Sequence, residues 1–116
     1  MLSLLQARLR LNELARNWLF WSRKIAEAAR KILGPCETYV FGSIVKNCAA
    51  GGSDIDILIV SNQLPEDFRS RGNLKAKIEE EAGLPLYHPF EIHLASVKEA
   101  RENPVYRTAI LEAIAV

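Results

Sequence analysis

The chain has 116 residues, of which 49% are hydrophobic and 25% charged, with a formal net charge of +1. That is one globular domain with a modest core, and it leaves little room for a separate substrate-binding module. The charge is unevenly placed, because residues 1–33 hold seven Lys/Arg against two Glu while the remainder holds eight against twelve acidic residues. Cys36 and Cys48 form no CxxC and are too few for a disulfide framework or a metal knuckle, so both read as reduced, packed thiols. No run reaches the roughly 18 apolar residues of a membrane span. Arg8, Arg10 and Glu13 interrupt the apolar stretch a signal peptide needs. A cytoplasmic protein that does not enter a membrane is the expectation.

Residues 1–33 contain neither Pro nor Gly and read as helix until "LGPC" stops them. Heptad spacing puts Leu4, Ala7, Leu11, Leu14, Trp18, Trp21, Ile25, Ala28 and Ile32 on one apolar seam, with Arg16, Arg23 and Arg30 opposite. A continuous helix of this kind would be about 45 Å long, longer than the body of so small a domain. Part of it must fold back or lie against another chain. The seam suits homodimerisation, docking of a helical partner, or, over residues 17–33, simple coverage of a sheet. The basic residues, with Lys24 and Lys31, read as the solvated side of the helix, and a nucleic-acid partner is not expected.

"ETYVFGS" reads as a strand, "IVKNCAAGG" as a short helical turn ending in glycines, and "DIDILIV" as a second strand. After the turn "SNQLPED", "PEDFRSRGNLKAKIEEEAG" reads as a surface helix with Pro65 in its first turn and Gly83 past its end. "LYHPFEIHLAS" is a third strand, Ser96 caps a short helix "VKEAREN", and Pro104 opens a last helix, "PVYRTAILEAIAV". The order αβαβαβαα predicts a single α/β (α+β) domain over residues 1–116, with a small mixed sheet of three or more strands and residues 1–16 as a helical extension.

The chemistry concentrates around "FGSIVKNCAAGGSDIDILIV", residues 41–60. Alternation along a strand puts Asp54 and Asp56 on one face and Ile55, Ile57 and Ile59 on the other. Two carboxylates about 7 Å apart repel one another unless a positive charge stands between them. Two solvated aspartates at a strand end would give the same pattern, but a hard divalent cation is the simplest remedy and takes such oxygen ligands. Gly42 lets backbone approach a bulky anion, Ser43 adds a hydroxyl, and the start of the following turn offers N–H groups to phosphate.

Gly42-Ser43, ten intervening residues and Asp54-Ile55-Asp56 within an apolar strand resemble the signature of the polymerase-beta-type nucleotidyltransferase superfamily, and the short chain resembles its minimal nucleotidyltransferase branch. The resemblance spans about residues 17–116 and implies a polymerase-beta-like fold. It implies a third carboxylate on a neighbouring strand, for which "PFEIHL" offers Glu91; otherwise Glu91 would be an edge-strand charge facing water. His93 shares the face of Glu91, and both His93 and His88 read as ordinary surface or half-buried histidines. Many minimal members carry an Arg-rich stretch after Gly-Ser, where this chain has Ile44, Val45 and Asn47, so Lys46 is the loop's only cation.

By this resemblance, Asp54, Asp56 and Glu91 are the catalytic and metal-binding carboxylates for two Mg²⁺ ions, with Mn²⁺ as a substitute. Gly42, Ser43, Lys46 and Ser53 bind the nucleotide, with ATP as the expected donor. In-line attack by a hydroxyl on the α-phosphorus would transfer AMP and release pyrophosphate. The chain ends about twenty residues after the third strand, so the acceptor is expected on a partner. Minimal members pair with helical HEPN proteins in toxin–antitoxin modules, which implies adenylylation of a tyrosine on the toxin. The alternative is a non-catalytic, nucleotide-binding antitoxin that neutralises its partner by covering it.

Overall fold

In the computed structural model, which describes residues 3–42 and 54–116, the first helical run is two helices, α1 (Leu4–Arg16) and α2 (Trp18–Leu33). Ser3 and Gln6 form a reciprocal capping box at the start of α1, satisfying donors that a helix end leaves unpaired. Asn17 ends one helix and begins the next. Its backbone N–H and its side-chain amide both donate to the Glu13 carbonyl, an alternative partner that competes with helix continuation.

The two halves of the apolar seam have different fates. In α2, Ile25 and Ala28 are buried, and Trp18, Trp21 and Ile32 pack against the same core, so this half covers the sheet. In α1 the seam residue Leu14 is buried, Ala7 and Leu11 are partly buried and Leu4 is 79% exposed, while Leu5 and Leu9, off the seam, are also exposed.

Among the described residues four strands follow: β1 (Glu37–Phe41), β2 (Ile55–Val60), β3 (Phe90–Ala95) and β4 (Ile114–Ala115). They make one mixed sheet in the order β3-β2-β1-β4, with β1 antiparallel to β2 and β4, and β2 parallel to β3. The β2–β3 crossover carries α3 (Phe68–Glu81), and β3 leads into α4 (Val97–Glu102) and α5 (Pro104–Glu112). The chain is thus of the expected α/β class, with a mixed sheet and flanking helices. No helix among the described residues is long and apolar enough to cross a membrane.

Strand alternation sorts the core into two layers. Val40, Ile55, Ile57, Ile59, Phe90, Ile92 and Leu94 pack with α2 residues and with Ile78 of α3. Leu58, Val60, Tyr39 and Phe41 pack with Val97, Ala100, Tyr106 and Ile110 of α4 and α5. Asp56 is on this second face, two residues before Leu58.

Three boundaries depart from the sequence expectation, the first being the third strand, which starts at Phe90 rather than Leu86, where the Phe90 N–H is taken by His88 Nδ1. The helix expected from Pro65 starts at Phe68, because Asp67 takes the N-cap by accepting from the Ser70 N–H. Pro65 lies outside it and offers its carbonyl to Arg71 Nε at 2.6 Å. The last helix ends at Glu112 rather than running on, and residues 114–115 pair with β1. The outer edge of β1 supplies the reason: Val116 N–H reaches the Thr38 carbonyl at 3.0 Å, satisfying a backbone group that would otherwise stand open. The expected turn over residues 44–52 lies outside the described residues.

Glu99 ties α4 to α3. It closes a capping box with Ser96 and takes a two-pronged contact from Arg71, at 2.9 and 2.7 Å. Chiefly through that Arg71 hydrogen bond, its carboxyl is held down from 4.5 to about 2. A carboxyl held lower in the folded than in the unfolded chain stabilises above its unfolded value and loses that contribution as pH falls through its folded one. Because the Glu99 side chain is 44% exposed, solvent screens the pair. Glu99→Gln should therefore cost only about 1 kcal/mol at pH 7. In urea unfolding, its deficit against the wild type should close as pH drops from 4.5 towards 2.

Candidate active site

The C-terminal end of β1 and the N-terminal ends of β2 and β3 meet at one end of the sheet. In register, Asp56 pairs with Phe41 on one side and with Glu91 on the other. Parallel in-register pairing therefore sets two carboxylates next to each other on the same face. His93, two residues after Glu91, joins them, with Nε2 3.3 Å from Asp56 Oδ1 and 4.0 Å from Glu91 Oε1. One donor atom from each of the three lies within 4.8 Å of the others. Asp56 and His93 side chains are 27% and 25% exposed and Glu91 57%, so the group is open to solvent on one side.

Asp54 is exposed and immediately precedes β2, outside that three-residue group. Ser43, Lys46 and Ser53 lie outside the described residues. Gly42 follows β1 with φ at 90°, and a Cβ added there would stand 2.6 Å from Asp56 Oδ2. Glycine is thus required twice at this position, for its backbone conformation and for the room that the Asp56 carboxylate occupies.

The two histidines have separate roles. His88 accepts the Phe90 N–H at Nδ1, which leaves its Nε2 to donate to Glu79 3.2 Å away, and it fastens the approach to β3 onto α3. His93 instead stands in the carboxylate group, its ring flanked by Phe41 at 5.7 Å and Tyr106 at 6.0 Å between centroids. Its alternation with Glu91 was visible in the sequence, but its approach to Asp56 follows from the β2–β3 register. Phe41 and Tyr106 carried no separate sequence signal.

The donor set suits a divalent cation. Around an octahedral ion with bonds near 2.1 Å, neighbouring donors stand about 3.0 Å apart and opposite donors about 4.2 Å. The separations of 3.3 and 4.0 Å at His93 fall within a few tenths of an ångström of those values. Beside Gly42, between the end of β1 and α5, a cleft of about 420 Å³ is walled by Phe41, Pro104, Val105, Thr108, Ala109 and Glu112. A second cleft, about 670 Å³, lies at the other end of β1 and β2, bordered by Tyr39, Ser61, Arg101 and Arg107.

Comparison with known proteins agrees with this geometry. The chain belongs to the nucleotidyltransferase domain family, whose pattern matches residues 22–115. A crystal structure assigned provisionally as a nucleotidyltransferase is 30% identical, with a TM-score of 0.55, over 72% of this chain and 87% of that one. Another, a provisional nucleotidyltransferase from Sulfolobus solfataricus, shares the fold at a TM-score of 0.56 and 17% identity, covering 96% of this chain and 83% of that one. No curated protein matches. Fold and family together assign nucleotidyl transfer as the general activity, of the polymerase-beta type that the Gly-Ser and DxD spacing resembles.

Proposed function

We propose that this protein transfers AMP from ATP to a hydroxyl on a partner protein, using a divalent cation, Mg²⁺ or Mn²⁺, held at Asp56 and Glu91 with Asp54 at the mouth. The carrying observation is the register of Asp56 against Glu91, with Gly42 pressed on the Asp56 carboxylate. Two adjacent carboxylates repel one another, a cost to the sheet end where they stand that binding sites retain and structural sites shed. When bound, the cation supplies charge neutralisation for the phosphates and a lowered pKa for the attacking hydroxyl.

The chain's own residues do the rest. Gly42, lacking a side chain, lets the polyphosphate approach the end of β1, and Ser43, Lys46 and Ser53 follow it in sequence as the phosphate-binding segment. The apolar walls of the neighbouring cleft, Phe41, Val105 and Ala109, suit a nucleobase or sugar. The acceptor oxygen attacks the α-phosphorus, the bond to the bridging oxygen breaks, pyrophosphate leaves, and the acceptor's proton passes to a carboxylate or to water.

The acceptor proposed is a tyrosine on a helical HEPN-type partner, which would make this chain an antitoxin. Support comes from α1, where Leu4, Leu5 and Leu9 are exposed beside Arg8 and Arg16. Apolar residues in that arrangement fit a partner helix, and a second copy of this chain is the competing occupant. The test is incubation with α-labelled ATP, Mg²⁺ and a lysate of the source cell. One labelled polypeptide, with the label on tyrosine, is expected. A chain that binds ATP yet labels nothing would indicate the non-catalytic antitoxin instead.

A further inference from the structure

Resting on the reading that Asp56 and Glu91 hold a cation, we infer that His93 is a nitrogen ligand to that cation and biases the site towards Mn²⁺ over Mg²⁺. Three observations converge on it. Nε2 is the His93 atom that faces both carboxylates, at 3.3 and 4.0 Å, separations that fit donors around one ion. The ring stands between Phe41 and Tyr106, which restrict its direction before any ion arrives. His88, the other histidine, is already engaged at both ring nitrogens and is not available for this role.

The consequence for metal choice follows from ligand chemistry. Mg²⁺ prefers oxygen and gives up its waters reluctantly, whereas imidazole suits first-row transition ions, whose affinity for nitrogen rises along the series from Mn²⁺. An all-carboxylate site has no such preference built in. One imidazole among the donors should therefore strengthen Mn²⁺ binding more than Mg²⁺ binding. His93 is the residue that would set this difference, while Asp56 and Glu91 supply the charge that draws in either ion.

The experiment is pulsed electron paramagnetic resonance on the tag-free chain loaded with Mn²⁺ alone, paired with calorimetric titration of Mn²⁺ and of Mg²⁺. The wild type should show electron-spin-echo modulation from ¹⁴N, and His93→Phe, which keeps a ring between Phe41 and Tyr106, should lose it. Even outer-shell partners of a metal are worth about 10- to 100-fold in affinity, so His93→Phe should weaken Mn²⁺ at least about tenfold. Its Mg²⁺ affinity should change by less. His93→Asn is the second variant if His93→Phe does not fold. Bound Mn²⁺ without nitrogen modulation in the wild type overturns the role of His93 and leaves the carboxylate site standing. No protein-bound Mn²⁺ at millimolar chain overturns both.

Discussion

Asp56→Asn is expected to lower nucleotidyl transfer by on the order of 10³-fold, about 4 kcal/mol of transition-state stabilisation, while leaving the protein folded. Asp56 is the one carboxylate with the other site groups on both sides, Glu91 in register on β3 and Gly42 against its Oδ2. Asparagine has almost the same shape but cannot carry the negative charge. Removing that charge also removes its repulsion with Glu91, so the melting temperature should hold or rise. A melting temperature that fell by many degrees would mark Asp56 as a structural residue. Steady-state transfer and thermal melting of the same preparation check both halves. Glu91→Gln should lower the rate while largely preserving ATP affinity, since its contribution is expected mainly in the transition state.

Gly42→Ala should be nearly as damaging, by another route. The new Cβ would meet Asp56 Oδ2 at 2.6 Å, and the backbone at φ 90° disfavours any side chain. Strain of this kind costs about 1–2 kcal/mol of stability. A carboxylate pushed aside by as little as about 1 Å lowers a rate on the order of 10²-fold. Gly34 and Gly83 are natural controls, because both have positive φ but would place a Cβ in open space. Their alanine variants should lose similar stability by urea unfolding and keep full activity. Equal activity loss in all three would show that strain, not the Asp56 contact, is responsible.

Much of this site was legible because its residues break the local pattern. Asp56 and Glu91 are charges inside apolar strands, and Gly42 sits where a β-branched run stops; the folded chain puts the three within one corner. His93 was legible as sharing the face of Glu91, but not as a neighbour of Asp56. That neighbourhood depends on β2 and β3 being parallel with Asp56 opposite Glu91, a non-local pairing that neither strand records. The break at Asn17 was legible only as the need for part of so long a helix to fold back or lie against another chain, with residues 1–16 set apart as an extension: no Gly or Pro marks it, and the seam continues across it in heptad register. The end of the chain failed as a helix because an unpaired edge of β1 outweighs the local helix propensity of "LEAIAV".

The measurement that bears most directly on the central claim compares ATP labelled at the α-phosphate with ATP labelled at the γ-phosphate, each incubated with the wild-type chain, Mg²⁺ and a lysate of the source cell. Nucleotidyl transfer moves the α-phosphorus and discards the β and γ pair. Label from the α position should therefore appear on the acceptor, with an equal amount of pyrophosphate released, and Asp56→Asn should abolish both. Label arriving from the γ position would contradict the account, because it would make the reaction a phosphoryl transfer and leave the Asp56–Glu91 site without the role assigned to it.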